Sequence, residues 1–286
     1  MSYKLAVSSL ALPVHDTLRL LPQVGEMGVR GLEVSPEQVW RGNERKPAAN
    51  EVTSYRREVE TAGLTIIGLH GLLSDRPGLG VFAGPEALQR TVEYLTGLSS
   101  VCRDLGGRTL VIGGSRWRGD LSIKQAWNDY LAFFERLLPR IEDHGTVLCI
   151  EPLGPGDADF CSTAAECRML TGYIDHPALG LQLNAKAQVE NNDAGHAPFS
   201  AARGRLEHFH ANEPGFAALG SSGRVDHADF RRHLSAITYR EWVCLAQKVS
   251  ANPLQGLLSG IRHLKQCYLR EGNQGRQRLI PVRATG

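Results

Sequence analysis

At 286 residues, with 42% apolar and 22% charged side chains, the chain has the make-up of a folded globular protein, which excludes disorder or collagen-like repeats over most of its length. Thirty-two Lys and Arg against 30 Asp and Glu leave a net charge of +2, which gives no electrostatic footprint for nucleic acid or an anionic membrane. Apolar runs such as Thr65 to Leu73 fall far short of the roughly 18 residues of a membrane span, Met1 to Val7 lacks the marks of a signal peptide, and six cysteines without a Cys-x-x-Cys pair read as reduced thiols of a cytoplasmic protein.

The spacing of apolar residues divides the chain into alternating short runs and helical patterns. Strands are predicted over Lys4–Leu12, Gly31–Ser35, Thr65–Leu73, Arg108–Gly113, Thr146–Glu151, Ala178–Ala185, Leu206–Ala211 and Glu241–Val249. Helices are predicted over His15–Gly28, Ala48–Gly63, Pro85–Gly106, Ser122–Gly145, Thr163–Ile174, Asp226–Ile237 and Pro253–Glu271. The Pro85–Gly106 segment puts Leu88, Val92, Leu95, Leu98 and Val101 on one face, and Ser122 and Asp226 stand at N-cap positions. Residues 186 to 205 read as a polar stretch with a short helix near Phe199, and 272 to 286 as a polar, basic tail after a single domain over 1–271. Strands alternating with helices imply parallel pairing. Eight such units in about 250 residues favour a closed (β/α)8 TIM barrel, an α/β fold, over an open sheet. No Gly-x-Gly-x-x-Gly follows a strand, and Gly113-Gly114 is too weak a signal for a phosphate loop.

In such a barrel the active site lies at the C-terminal strand ends. Polar residues that follow apolar runs there are the candidates: Glu33, His70, Glu151, Asn184, His208, His210, Glu213 and Gln247. The segments Gly31-Leu32-Glu33, Gly68-Leu69-His70, Cys149-Ile150-Glu151-Pro152 and His208-Phe209-His210-Ala211-Asn212-Glu213-Pro214, in this order, resemble the sugar isomerase/epimerase superfamily of xylose isomerase-like barrels, from Tyr3 to about Leu269. That family includes ketose 3-epimerases, inosose dehydratase and endonuclease IV.

The resemblance implies a divalent metal held by four strand-end positions, which fall here on Glu151, Asn184, His210 and Gln247. Two of the four depart from the family pattern, each replacing a carboxylate by its amide. The family's additional His falls on Ala187 and its substrate-binding Arg near Phe216. Neutral amide oxygens offset less of the cost of dehydrating a hard cation, so the site is expected to hold Mg²⁺ or Mn²⁺ weakly. Gln247 also cannot exchange a proton near neutral pH, so the family's two-Glu acid/base mechanism is not expected. No cofactor is therefore predicted, with Mn or Mg on amide ligands as the alternative.

Lys186, two residues after Asn184, falls on the same side of an extended strand and would enter the mouth near the metal position. There it could polarise a carbonyl, hold an anion or form a Schiff base, unless it opens a loop and points to water. Glu151 is expected as the base, with His210 and His70 as polar partners, and His208 is expected one layer deeper. Glu33, Asn184, Gln247 and Glu213 are candidate substrate contacts. Arg116 and Trp117, in the loop Ser115-Arg116-Trp117-Arg118, are a candidate clamp for an anionic or sugar-like ligand, with a solvated loop as the plain reading. Trp40-Arg41 carries the same ambiguity.

The leading expectation is an isomerase, epimerase or lyase that acts by proton transfer on a small polyhydroxylated or carbonyl substrate, without the family's metal. The competing expectation is a non-catalytic binding or partner subunit descended from such an enzyme. DNA repair of the endonuclease IV kind is disfavoured, because the ligands of a trinuclear centre and a basic groove are both missing. Barrels of this kind often pair, so a homodimer is expected by analogy.

Overall fold

Apolar runs of four to six residues, each closed by a polar or turn residue, form the strands of the computed structural model, which describes residues 3–40, 47–74, 76–114 and 116–269. They are β1 (Lys4–Ser8), β2 (Gly31–Val34), β3 (Thr65–His70), β4 (Thr109–Ile112), β5 (Val147–Ile150), β6 (Leu179–Asn184), β7 (Leu206–Ala211) and β8 (Trp242–Leu245). All pair in parallel in sequence order, and β1 closes on β8, so the predicted TIM barrel is the fold. The helices are α1 (Thr17–Glu26), α2 (Pro36–Val39), α3 (Ala49–Thr61), α4 (Pro85–Asp104), α5 (Ile123–Ile141), α6 (Ala164–Ile174), α7 (Ala185–Glu190), α8 (His196–Ala201), α9 (His227–Ala236) and α10 (Pro253–Tyr268).

Caps set the helix starts. Ser122 and Gln125 satisfy each other's backbone N–H at the start of α5, Thr163 and Glu166 do the same for α6, and Asp226 caps α9 as expected. The strands end earlier than their apolar runs suggest. β1 stops at Ser8, whose hydroxyl accepts the Leu10 N–H and starts a 3-10 turn. β3 stops at His70, and β8 at Leu245 rather than Val249. The stretch expected to be loop after β6 opens with α7, and Phe199 sits in α8 as predicted.

Alternation along the strands separates two cores. Leu32, Val34, Leu148, Ile150, Leu181 and Leu183 face outward and pack with Phe133, Phe134, Leu137 and Phe209 under the helices. Small apolar groups fill the lower barrel interior, where Ala6, Ile67 and Cys244 form one cluster and Val111, Val147 and Cys149 another. Gly68 sets the close approach of β3 and β4: a Cβ there would lie 2.3 Å from the Thr109 carbonyl oxygen. Above the apolar filling, the interior carries buried polar side chains: Glu33, Gln182, His208 and His210. No described helix is long and apolar enough to cross a membrane. The expected tail, 272 to 286, and Arg41 lie outside the described residues.

Candidate active site

The C-terminal strand ends enclose a cavity of about 490 Å³, within the range that takes a small molecule. Glu151, His210, Asn184, His70, Lys186 and Trp117 line it, together with Asn212, Phe216, Ala246 and Lys248. Glu151 follows β5 directly. Its Oε1 accepts a hydrogen bond from Asn184 Nδ2 at 2.9 Å and lies 3.7 Å from His210 Nδ1. Its Oε2 lies over Gly113, where an added Cβ would stand only 2.0 Å away. One carboxylate oxygen is thus held by neighbours, and the other occupies space that only a glycine leaves open.

Beneath the cavity, Glu33 is completely buried. Its Oε2 lies 2.9 Å from His210 Nε2, its Oε1 3.0 Å from His208 Nε2, and His70 Nε2 is 4.0 Å away. Burial opposes ionisation of Glu33, but His210, His70 and His208 outweigh it and hold the carboxyl well below its usual range. Burial likewise opposes a charged His210, yet Glu33 and Glu151 push its pKa up to about 10. Burial pushes His70 and His208 down, against the pull of Glu33, and His70 Nε2 bonds Ser8 Oγ at 2.9 Å. The floor therefore sets His210 between the carboxyl groups of Glu33 and Glu151.

Several candidates stand elsewhere than expected. Gln247 points out of the barrel: its Oε1 accepts the Leu219 N–H at 3.0 Å and its Nε2 donates to the Gly256 carbonyl at 3.2 Å. Cys244 is the register partner of His210, so alternation turns Ala246 and Lys248 toward the mouth and Gln247 toward α10. Glu213 is also buried away from the cavity, accepting from the Gly220 N–H, Ser222 Oγ and His227, and so shapes the loop that follows β7. Arg116 is buried too. It pairs with Ala158 in an isolated bridge, donates to the Glu151 main-chain carbonyl and leaves Trp117 alone of the two lining the cavity, 52% exposed. Glu33 lies below the cavity floor rather than in its lining.

Lys186 lines the cavity, but from the first turn of α7 rather than from an extended strand. Its ammonium bonds Asp157 and Glu190 and lies 5.5 Å from the centre of the Phe216 ring. Burial works against the charge, but the two carboxylates outweigh it and raise the pKa, the reverse of what a Schiff-base lysine needs. The residues missed were Asn212, Lys248, Ala246 and Gly113. Counting alternate residues on from Cys244 would have found two of them.

The four positions implied for a divalent metal do not converge as a ligand set. Asn184 Oδ1 caps α7 by accepting the Ala187 N–H at 2.7 Å, so its amide nitrogen, a donor, faces Glu151. The opposite amide orientation would set Nδ2 against that N–H, and so the cap decides it. With Gln247 turned away and Ala246 in its place, only Glu151 and His210 remain.

Comparison with known proteins agrees with this architecture. Similar solved structures include D-psicose 3-epimerase from Clostridium cellulolyticum H10 with D-tagatose (TM-score 0.77, 14% identity, 94% of this chain and 99% of that one). Others are 3-keto-D-glucoside 4-epimerase from E. coli (0.76, 16%, 93% and 100%) and an L-ribulose 3-epimerase (0.76, 17%, 92% and 93%). A search of curated proteins finds no match. The profile of the family described as xylose isomerase-like TIM barrel matches residues 21–267, and with the closed barrel this places the chain in that family.

Proposed function

We propose that this protein is a sugar isomerase of the one-base kind, moving a proton between neighbouring carbons of a small polyhydroxylated carbonyl compound. The observation that carries this reading is the state of Glu151. Its Oε1 is held by Asn184, its Oε2 is uncommitted toward the cavity, and a positively charged His210 stands 3.7 Å from it. In the proposed step Oε2 takes the proton from the carbon next to the carbonyl. The electron pair of that C–H bond forms the carbon–carbon double bond of an enediolate. The same oxygen returns the proton to the former carbonyl carbon, while the hydroxyl proton on the neighbouring carbon's oxygen passes to the former carbonyl oxygen, so the carbonyl ends on the neighbouring carbon. His210 supplies fixed positive charge where the oxygen becomes negative.

A two-base epimerisation needs a second proton-transfer group on the opposite face of the substrate. Among the described lining residues the other carboxylate is Asp157, which is tied to Lys186. Trp117 and Phe216 offer ring faces to a sugar's C–H surface. The sugar epimerases among the structural neighbours support a sugar-like substrate. The reading routes no step through a metal.

The test is solvent exchange. Wild-type protein is incubated in D₂O with a panel of aldoses and ketoses, and proton NMR follows the hydrogen next to the carbonyl. Deuterium entering that position in the wild type but not in Glu151→Gln supports the proposal. Absence of exchange with every sugar removes it, and sugar-induced thermal stabilisation without exchange would favour a binding subunit.

A further inference from the structure

The layer beneath the cavity departs from the usual filling of a parallel barrel, which is branched and apolar. Here β2, β7 and β8 turn Glu33, His208, His210 and Cys244 toward one point, and one ligand atom from each lies within 4.8 Å of all the others. All four are buried, and β7–β8 pairing sets His210 beside Cys244. The bonding inside this layer is incomplete. His208 Nε2 and Glu33 Oε1 are 3.0 Å apart but not aligned as a hydrogen bond, and among the described residues neither atom has another partner. Gln182, the register neighbour of His208, leaves both amide atoms without a partner as well. Buried polar groups are rarely left this way.

We propose that Glu33, His208, His210 and Cys244 form a closed zinc site inside the barrel. Two imidazoles, one carboxylate and one thiolate suit a borderline cation that prefers four tetrahedral ligands, and suit Mg²⁺ or Mn²⁺ poorly. The site shares only His210 with the four metal positions that the family resemblance implies. It takes His210 through Nε2, whereas Glu151 faces Nδ1. As the cation binds, the Cys244 thiol and the His210 Nε2 position release their protons to solvent. Nδ1 remains 3.7 Å from Glu151 Oε1, so the site fixes the ring that Glu151 faces. The inference stands on geometry and does not depend on the proposed reaction.

The probes are Zn²⁺ and Co²⁺ alone, added to full-length protein after removal of bound metal. The expected result is one equivalent per chain and, for Co²⁺, the absorption of a tetrahedral ion with a thiolate-to-cobalt charge-transfer band. Cys244→Ala should abolish that band and weaken zinc binding at least about tenfold. Glu33→Gln should weaken zinc binding in the same direction, which provides a second reading should either variant fold poorly by circular dichroism. Failure of the wild type to bind one equivalent, a cobalt spectrum without the band, or zinc binding unchanged in both variants would overturn the site. Loss of sugar exchange with zinc binding intact would count against the proposed reaction alone.

Discussion

The two sides of the barrel mouth are built differently. On the side of β5 to β7, Glu151, Asn184, His210 and Asn212 follow one another on adjacent strands, and a network from Glu33 to Glu151 orders them. On the side of β8 and β1, the lining is Ala246, Lys248 and Leu10. Both sides are made by the same alternation of strand residues. The difference lies in which residue alternation turns inward: at the end of β8 it is an alanine, and the polar Gln247 is spent on bonding Leu219 and Gly256. A mouth whose uncommitted carboxylate, Glu151, stands on one side suits a reaction run from one face of the substrate.

The sharpest way to break this contrast is Glu151→Gln. Removing a general base costs about 10²- to 10⁴-fold in kcat. Because Glu151 is partly exposed at the cavity wall, the thermal midpoint should hardly move. Sugar exchange and a melting curve on the same sample check both statements, and a variant that still exchanges would move the chemistry to the other side. Next in size is Glu33→Gln, which removes the carboxylate that keeps His210 charged. In the metal-free protein, where His210 Nε2 keeps its proton, His210 is raised on folding from 6.5 to about 10. It therefore contributes stability that is complete below about pH 6.5 and is lost as pH rises through about 10. Glu33 is depressed below 4.5, and its contribution is present above that value and is lost as pH falls through the depressed one. His70 and His208, lowered by burial, contribute stability present above about pH 6.5 and lost as pH falls through their lowered values. In Glu33→Gln the decline in stability between pH 6.5 and 10 should flatten, and the His210 resonances should titrate well below their wild-type range. Thermal melts across pH and histidine NMR read these out.

A smaller loss is expected from Gly113→Ala. The new methyl would meet Glu151 Oε2, so the carboxylate must shift by an ångström or more. Misplacement on that scale costs about 10²-fold in rate. The loss should fall on kcat, since the ring faces of Trp117 and Phe216 are untouched. An unchanged kcat would show that Oε2 does not act from its position over Gly113.

The same comparison explains what could be read from the residues alone. Glu151 was legible because a charge directly after Val147-Leu-Cys-Ile has no place in barrel packing, and His210 because two histidines alternate on one strand. The eight-unit count was legible because each unit carries its own change of period. Gln247 was not, because Leu245-Ala-Gln-Lys has no apolar partner to mark its inward register. Arg116 and Trp117 are neighbours, and only the bridge to Ala158 decides which of them turns inward. Glu213 looked like a strand-end site residue. Its real partners, Gly220, Ser222 and His227, are loop and helix residues that no local pattern connects to it. Lys186 reads either as a continuation of β6 or as the start of a loop, because the cap that starts α7 is a single Asn at the end of β6.

The smallest effect separates the two residues of β8 that could have carried a second carboxylate. Gln247→Glu changes only a buried, outward-facing side chain. It removes the donor to the Gly256 carbonyl while keeping an acceptor for the Leu219 N–H. The Gly256 carbonyl is part-buried and lies inside α10, so loss of this one bond costs about 0.5–1.5 kcal/mol, and chemical denaturation should show a loss of at least that size with little change in sugar exchange. Ala246→Glu instead places a carboxylate in the mouth at the end of β8, next to β7 and three strands round the barrel from Glu151. If the one-sided arrangement limits the reaction to one face, Ala246→Glu should alter the stereochemistry of deuterium incorporation, and Gln247→Glu should not. The reverse pattern would show that the end of β8 turns Gln247, rather than Ala246, toward the substrate.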